Sequence, residues 1–165
     1  MSDTLRPTDP LRARHRELVA QVDELRMAAA GAAALDRGGV HSRVARAIAF
    51  LDGALLPHAR VEETTLYPLV EATLGSPGAT ATMRRDHVEI ARMTEALRFL
   101  EARLRHSPTR ETIESIRRLL YGLHAVVMLH FAKEEELYLP LLDRELPEDA
   151  AGSLVEGMRE RSEVA

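Results

Sequence analysis

The sequence predicts an all-α fold, an antiparallel up-down-up-down four-helix bundle. Apolar residues recur with helical periodicity through four long segments, whereas the period-2 alternation typical of strands is nearly absent. Short loops rich in glycine and proline separate the segments, so consecutive helices are expected to run antiparallel. An internal repeat with an offset of 72 residues relates the first two segments to the last two. We therefore expect two repeated αα-hairpins packed about an approximate two-fold axis.

Helix one has clear boundary signals. It is expected over about residues 9–30, because Thr8 can cap it, Pro10 suits its first turn and Gly31 ends its apolar periodicity.

Helix two is expected over about residues 42–74, between a loop at Gly38-Gly39 and a stop at Gly75. Pro57 and Pro68 should kink this helix or end it early, since proline lacks the amide proton and clashes with the preceding turn.

Helix three is expected over about residues 80–105. Helix four is expected from about Pro108, with Ser107 as its cap, to about residue 143, with Pro140 bending its end. A short C-terminal helical tail can follow. The predicted organisation is a flexible N-terminus (1–8), one bundle domain (9–145) and a tail (146–165).

The composition limits the function classes. A chain of 165 residues with 45% hydrophobic residues can build one domain with a sizeable core. A net charge of -4 and an isoelectric point near 6.0 provide no basic stripe for a nucleic acid. No apolar run is long enough for a membrane span or a secretion signal, so we expect a cytoplasmic protein. Because cysteine is absent, any metal must be held by histidine, carboxylate or tyrosine.

Four of the seven histidines obey the 72-residue repeat, and two glutamates obey it with them. Each predicted helix carries one of these histidines. In helices two and four a glutamate follows the histidine at i+4, on the same helix face and about one turn away. The repeat-related pairs are His15 and His87, His58 and His130, and Glu62 and Glu134.

The apolar surroundings of these residues favour a metal site. Uncompensated ionisable groups in a core each cost on the order of several kcal/mol, and a bound cation offsets that cost. The alternative, two metal-free His–Glu pairs with His15 and His87 on the surface, leaves the cost in place. Four imidazoles and two carboxylates suit iron, manganese or zinc and exceed one tetrahedral site. Two ions bridged by carboxylates, with two histidines each, match the repeat. The Glu-x-x-His pairs of ferritin-like bundles do not occur.

Over about residues 9–143 the chain resembles the hemerythrin-like HHE cation-binding proteins. The most specific parts are His58-x-x-x-Glu62-Glu63 with Leu66-Tyr67-Pro68, and His130-x-x-x-Glu134-Glu135 with Pro140. The resemblance implies a four-helix bundle around two non-heme, carboxylate-bridged iron ions, for which zinc or manganese could substitute.

The same resemblance implies a ligand set. His15 and His58 would bind one iron and His87 and His130 the other, with Glu62 and a helix-four carboxylate bridging the two. Oxygen carriers of the family use a longer spacing that would select Glu135 as this second bridge. The repeat and the ideal helix face favour Glu134, which we choose.

One position departs from the oxygen carriers of the family. They have a further histidine one turn after the helix-three histidine, where this chain has Ala91, and the repeat-related residue is Val19. A missing protein ligand leaves coordination positions for small molecules. Reversible oxygen carriage is therefore less favoured than sensing, peroxide decomposition or iron handling.

Five further residues are candidates for binding metal directly or for contacting a ligand. Glu63 and Glu135 repeat, but at i+5 from their histidines they point away from the shared face of an ideal helix. Tyr67 and Tyr138 flank the proline sites and could also be core or rim residues. His124 could lie near the centre or its entrance, or on the surface.

Three functions remain open at this stage. The leading hypothesis is a di-iron protein that binds or senses oxygen or a related small oxidant. The second is an enzyme that decomposes peroxide or processes nitric oxide. The third is a structural, interaction or iron-storage bundle stapled by metal. A sensor would signal through a protein partner, which the sequence does not identify.

Overall fold

Four long helical segments account for most of the residues that the structure, a computed structural model, describes: 6–32, 37–106 and 109–146. No strand occurs in these ranges, which confirms the predicted all-α bundle. The first segment is α1 (Asp9–Gly31) and the third is α5 (Ala81–His106). The second comprises α2 (Arg37–Phe50), a π-helical turn (Leu51–Leu55), α3 (Leu56–Thr64) and α4 (Leu66–Leu74). The fourth comprises α6 (Arg110–Lys133), a π-helical turn (Glu134–Tyr138) and α7 (Leu139–Glu145).

The second segment begins earlier than predicted. Gly38 and Gly39 lie in the first turn of α2 and not in a loop, so that prediction was wrong. Val40 and Val44 are buried against the core, and this packing outweighs the low helix propensity of glycine.

Each of the three internal prolines follows an irregularity of the helix. Pro57 and Pro140 come just after the two π-helical turns, and Pro68 comes after a break at Thr65. Because proline has no amide proton to donate, the irregular turn before it accommodates the missing hydrogen bond and the ring. The predicted distortions at Pro57, Pro68 and Pro140 are therefore confirmed.

Thr8 occupies the predicted N-cap position of α1, but its side chain makes no capping hydrogen bond and donates to Asp143 instead. Two other helix ends show specific caps. Gly75 adopts a left-handed conformation with φ 60° and ends α4, as its position in the sequence predicts. Thr109 caps α6 by accepting a hydrogen bond from the Thr112 amide at 3.1 Å. The predicted cap at Ser107 and the predicted tail helix lie outside the described residues.

Two apolar clusters fill the interior. The larger cluster contains twenty buried residues, such as Leu18, Leu51, Leu97 and Leu123. The smaller cluster consists of Leu11, Leu66, Tyr67, Val70, Met83, Leu139 and Leu142. It gathers the start of the first and third segments and the end of the second and fourth, so consecutive segments run in opposite directions. None of the described helices combines the length and apolar character needed to cross a bilayer.

Candidate metal centre

A group of buried histidines and glutamates lies between the two apolar clusters. Every long segment contributes one histidine, and the second and fourth add one glutamate each. Both carboxylate side chains are fully buried, and each of the four histidines exposes less than a tenth of its surface. This six-residue cluster consists of His15, His58, Glu62, His87, His130 and Glu134, the residues that the sequence selected.

Glu62 connects two triads within the six-residue cluster. One triad contains His15, His58 and Glu62, and the other contains Glu62, His87 and His130; the ligand atoms of each lie within 4.8 Å of one another. Glu62 Oε1 is 2.8 Å from His58 Nε2 and 3.3 Å from His15 Nε2, whereas Oε2 is 3.4 Å from His87 Nε2. The two carboxylate oxygens thus face different histidine pairs, which is the arrangement of a bridging carboxylate.

Glu134 spans the same two histidine pairs. Its Oε2 is 3.4 Å from His15 Nε2, and its Oε1 is 3.5 Å from His130 Nε2. The π-helical turn begins at Glu134, and Glu135, the next residue, points elsewhere. Of the two acids that the sequence left open as the second bridge, Glu134 is therefore the one whose carboxylate enters the six-residue cluster.

Glu63 and Glu135 contact histidines from outside the cluster. His15 Nδ1 is 2.8 Å from Glu135 Oε1, and His87 Nδ1 is 2.9 Å from Glu63 Oε1. The two contacts are related by the 72-residue repeat, and each joins a histidine of one hairpin to a glutamate of the other. A proton on Nδ1, donated to the carboxylate, leaves the lone pair of Nε2 directed into the cluster.

A third contact between a histidine Nδ1 and a carboxylate has no counterpart in the other hairpin. His130 Nδ1 is 3.1 Å from Asp86 Oδ2, and Lys133 pairs with the same carboxylate. The repeat places Arg14 and Val61 at the positions that correspond to Asp86 and Lys133. The repeat did not predict this pair, because neither Asp86 nor Lys133 has a repeat-related residue of the same kind. A signal was nevertheless present, since Asp86 directly precedes a candidate histidine and Lys133 lies three residues after another.

Tyr67 reaches the cluster, whereas Tyr138 does not. The Tyr67 hydroxyl donates to Glu134 Oε1 at 2.9 Å and lies 3.2 Å and 3.3 Å from Nε2 of His87 and His130. Tyr138 donates to the backbone carbonyl of Ala79. His124, the last of the candidates, is half-buried and lies 3.2 Å from Asp23 Oδ1, and it belongs to neither triad.

The two buried carboxyl groups differ in proton affinity. Burial by itself would raise the pKa of Glu62, but the imidazoles of His58, His130 and His15 around its carboxylate hold that pKa well below its usual range. Burial raises the pKa of Glu134 well above its usual range, and the negative charge of Glu62 raises it further. Glu134 is therefore the member of the carboxyl pair that holds a proton more readily.

Two neighbours of the pair also have shifted pKa values. Burial lowers the pKa of His87, but contacts with Glu62 and Glu63 outweigh it and raise the pKa above its usual value. Burial, with the charges of Glu62 and Glu134, raises the pKa of the Tyr67 hydroxyl, which therefore remains a proton donor.

The six residues fit a pair of metal ions. Oε2 of Glu62, Oε2 of Glu134 and Nε2 of His58 are buried without a hydrogen-bond partner, although His58 Nε2 lies only 2.8 Å from Glu62. Buried polar atoms of this kind are costly unless something binds them. His87 Nε2 and His130 Nε2 are 3.0 Å apart, and two nitrogens that converge so closely can ligate one ion. The donor set of imidazole and carboxylate suits iron, manganese or zinc.

A comparison with protein families agrees with this geometry. The Hemerythrin HHE cation binding domain matches residues 6–142. Neither the curated proteins nor the solved structures give a match.

Proposed function

Because the chain belongs to the hemerythrin HHE cation-binding domain family over residues 6–142, we propose that it holds two non-heme iron ions and binds or senses oxygen or a related small oxidant. One observation supports this above the others: Glu62 is fully buried, belongs to both histidine triads and directs a different oxygen to each. A pair of iron ions there would supply redox chemistry toward oxygen or peroxide.

The residues of the chain have separate roles in this proposal. His15 and His58 would hold one ion, His87 and His130 would hold the other, and Glu62 and Glu134 would supply carboxylate oxygens to both. A proton held by Glu134 must leave when the cations bind, since the carboxylate is a ligand only when ionised. The apolar clusters on both sides keep bulk water away from the centre.

A second candidate function is the turnover of peroxide or nitric oxide. Two observations favour it. Where the oxygen carriers of the family have a further histidine, this chain has Ala91, so the protein leaves metal coordination positions open. The Tyr67 hydroxyl lies beside His87, His130 and Glu134, where it can donate a proton or a hydrogen bond to a small ligand.

The first experiment measures metal content by elemental analysis, with a near-ultraviolet absorption spectrum, on protein purified aerobically without added metal. We expect about two irons per chain, as the two triads imply, and oxo-bridge charge-transfer bands. His58→Ala should lose both. His124→Ala is the matched control, because His124 lies on α6 but outside both triads, and it should keep both. A protein that contains zinc and lacks these bands, or that contains no metal, would contradict the redox function. The protein would then be a bundle that metal only stabilises, or a metal-free bundle.

A second experiment separates the two candidate functions. Binding or sensing predicts a reversible optical change when the reduced protein meets oxygen. An enzyme predicts that oxygen evolves from peroxide at a rate that Glu62→Ala abolishes. A bundle that is only stapled by metal predicts neither result.

A further inference from the structure

The two flanks of the six-residue cluster carry side chains of different size. A groove of about 450 Å³ runs between α3 and α5, and its lining includes His87, Glu63, Ala59 and Ala91. We call this side the open flank. The repeat-related side, between α6 and α1, is called the closed flank.

The groove on the open flank leads toward the metal ligands. A small cavity of about 10 Å³, about enough for one water molecule, lies inside the cluster and is lined by His58, Glu62, His87 and His130. Ala59 and His87 line both the groove and this cavity. Among the described residues, these are the two that line both spaces, and one of them is an alanine.

Two departures from the repeat explain why one flank is open. Ala59 corresponds to Phe131, and Ala91 corresponds to Val19. The Phe131 ring is buried and stacks on the His15 imidazole with a centroid distance of 4.5 Å. The closed flank therefore carries a large ring stacked on His15 and a branched side chain one turn after that histidine, where the open flank carries two alanines at the corresponding positions.

The open flank is also the more positive one. Three arginines and two glutamates line the groove: Arg60, Arg92, Arg98, Glu63 and Glu95. The repeat places alanines, Ala132 and Ala20, at the positions that correspond to Arg60 and Arg92. Arg92 pairs with Glu89. In the part of the chain that the structure describes, no carboxylate lies within ion-pair distance of the Arg60 guanidinium, which is exposed at the groove. A cation at the mouth of a narrow path raises the local concentration of small anions.

We propose that the groove between α3 and α5 is the entrance by which a small anion reaches the metal centre, on the side of His87. The Arg60 guanidinium attracts the anion, and Ala91 and Ala59 leave the width that it needs. This inference rests on the proposed metal centre and adds to it a side of approach and a further class of ligand, small anions.

The test uses azide as the probe anion and follows its binding to the oxidised, metal-containing protein by stopped-flow absorbance. Ala91→Leu fills the groove with a good helix former and should slow azide binding by about tenfold. Val19→Leu enlarges the repeat-related position on the closed flank and should leave the rate unchanged. Metal content and the absorption spectrum before azide is added should match the wild type in both variants.

Arg60→Gln tests the electrostatic part of the inference. Its azide binding should be slower than that of the wild type at low salt, and the rate should respond less to ionic strength, because the attraction of an exposed charge is screened by salt.

Three results would overturn the inference: a wild-type azide rate in Ala91→Leu, equal slowing in Val19→Leu, or an unchanged salt dependence in Arg60→Gln. A wild-type protein without metal would contradict the proposed function itself, and elemental analysis would reveal this before any azide is added.

Discussion

Tyr67 makes the two halves of the cluster unequal at the scale of single residues. Its hydroxyl lies next to His87, His130 and Glu134, and the repeat places Leu139 at the corresponding position. The half that contains His15 instead meets the Phe131 ring. A small ligand would therefore meet a hydrogen-bond donor on one side of the centre and an apolar surface on the other.

The hydrogen bond from Tyr67 to Glu134 should stabilise the metal-free protein. Tyr67→Phe leaves a buried carboxyl group without a donor and should lower the free energy of unfolding by about 1–2 kcal/mol. Tyr138→Phe removes a hydroxyl that donates to the Ala79 carbonyl from a half-buried position, and it should cost about 0.5 kcal/mol or less. Urea denaturation of the chelator-treated proteins measures both. Equal losses would contradict the role of the Tyr67 hydroxyl.

Glu63 and Glu135 should each contribute to metal affinity through the histidine that they orient. Glu63→Ala and Glu135→Ala should weaken metal binding by about 10–100-fold, since each leaves an imidazole without its Nδ1 acceptor. Glu17→Ala is the control, because Glu17 is exposed and pairs with Arg14. Competition with a chromophoric chelator gives the affinities. An affinity in either glutamate variant equal to that of Glu17→Ala would exclude the orienting role.

The sequence identified the residues of the cluster better than it identified their surroundings. The repeat and the i+4 spacing selected all six residues that the structure brings together. Spacing on an ideal helix did not decide the roles of Glu63 and Glu135. The histidines that they contact are on other helices, and helical spacing gives no information about contacts between helices. Asp86 and Lys133 break the repeat, so a search for symmetry could not find them.

At the scale of the elements, each of the two π-helical turns lies close to a candidate metal ligand. The turn Leu51–Leu55 precedes His58 by three residues, and the turn Glu134–Tyr138 begins at a candidate bridge. A π-helical turn inserts one residue into the helical register. The prolines in the sequence predicted that the helices would be irregular, but the kind of irregularity depends on tertiary packing, which local sequence does not specify.

Two glycines of the second helical segment should respond in opposite ways to alanine. Gly53 lies in a π-helical turn, is exposed and has no atom within 4 Å of an added Cβ, so Gly53→Ala should stabilise the fold by about 0.5–1 kcal/mol. Gly75 has φ 60°, so Gly75→Ala should destabilise it by about 1–2 kcal/mol. Shifts of the urea midpoint measure both. A shift of the same sign in both variants would contradict the assigned backbone conformations.

For the whole molecule, the six-residue cluster separates the apolar core into two parts. Leu11, Leu66, Met83 and Leu139 pack on one side of it, and the larger cluster packs on the other. The sequence predicted the four-helix architecture because its periodicity and repeat extend over whole helices. It did not predict this division of the core, which depends on how neighbouring helices are shifted along one another and so on whether their histidines lie at the same level.

Metal binding should stabilise the fold as a whole. Each site should add about 2.7 kcal/mol when free metal exceeds its dissociation constant a hundredfold, which corresponds to a rise in Tm of about 5–10 °C per site. Thermal denaturation of metal-containing and chelator-treated wild type measures the difference. His58→Ala should show a smaller difference between the two conditions. A wild-type Tm that does not change on chelation would contradict a metal site inside the core.

The division of the core also affects how the molecule opens. The smaller cluster is joined to the larger one across polar side chains, and several buried atoms at that boundary lack partners when no cation is present. Helices α4 and α7 should therefore detach as one cooperative unit in the metal-free protein while α6 remains folded. Amide protons of Leu66–Leu74 should then exchange with solvent faster than those of Leu120–Val127. Metal would slow their exchange most, because it connects the two halves of the bundle.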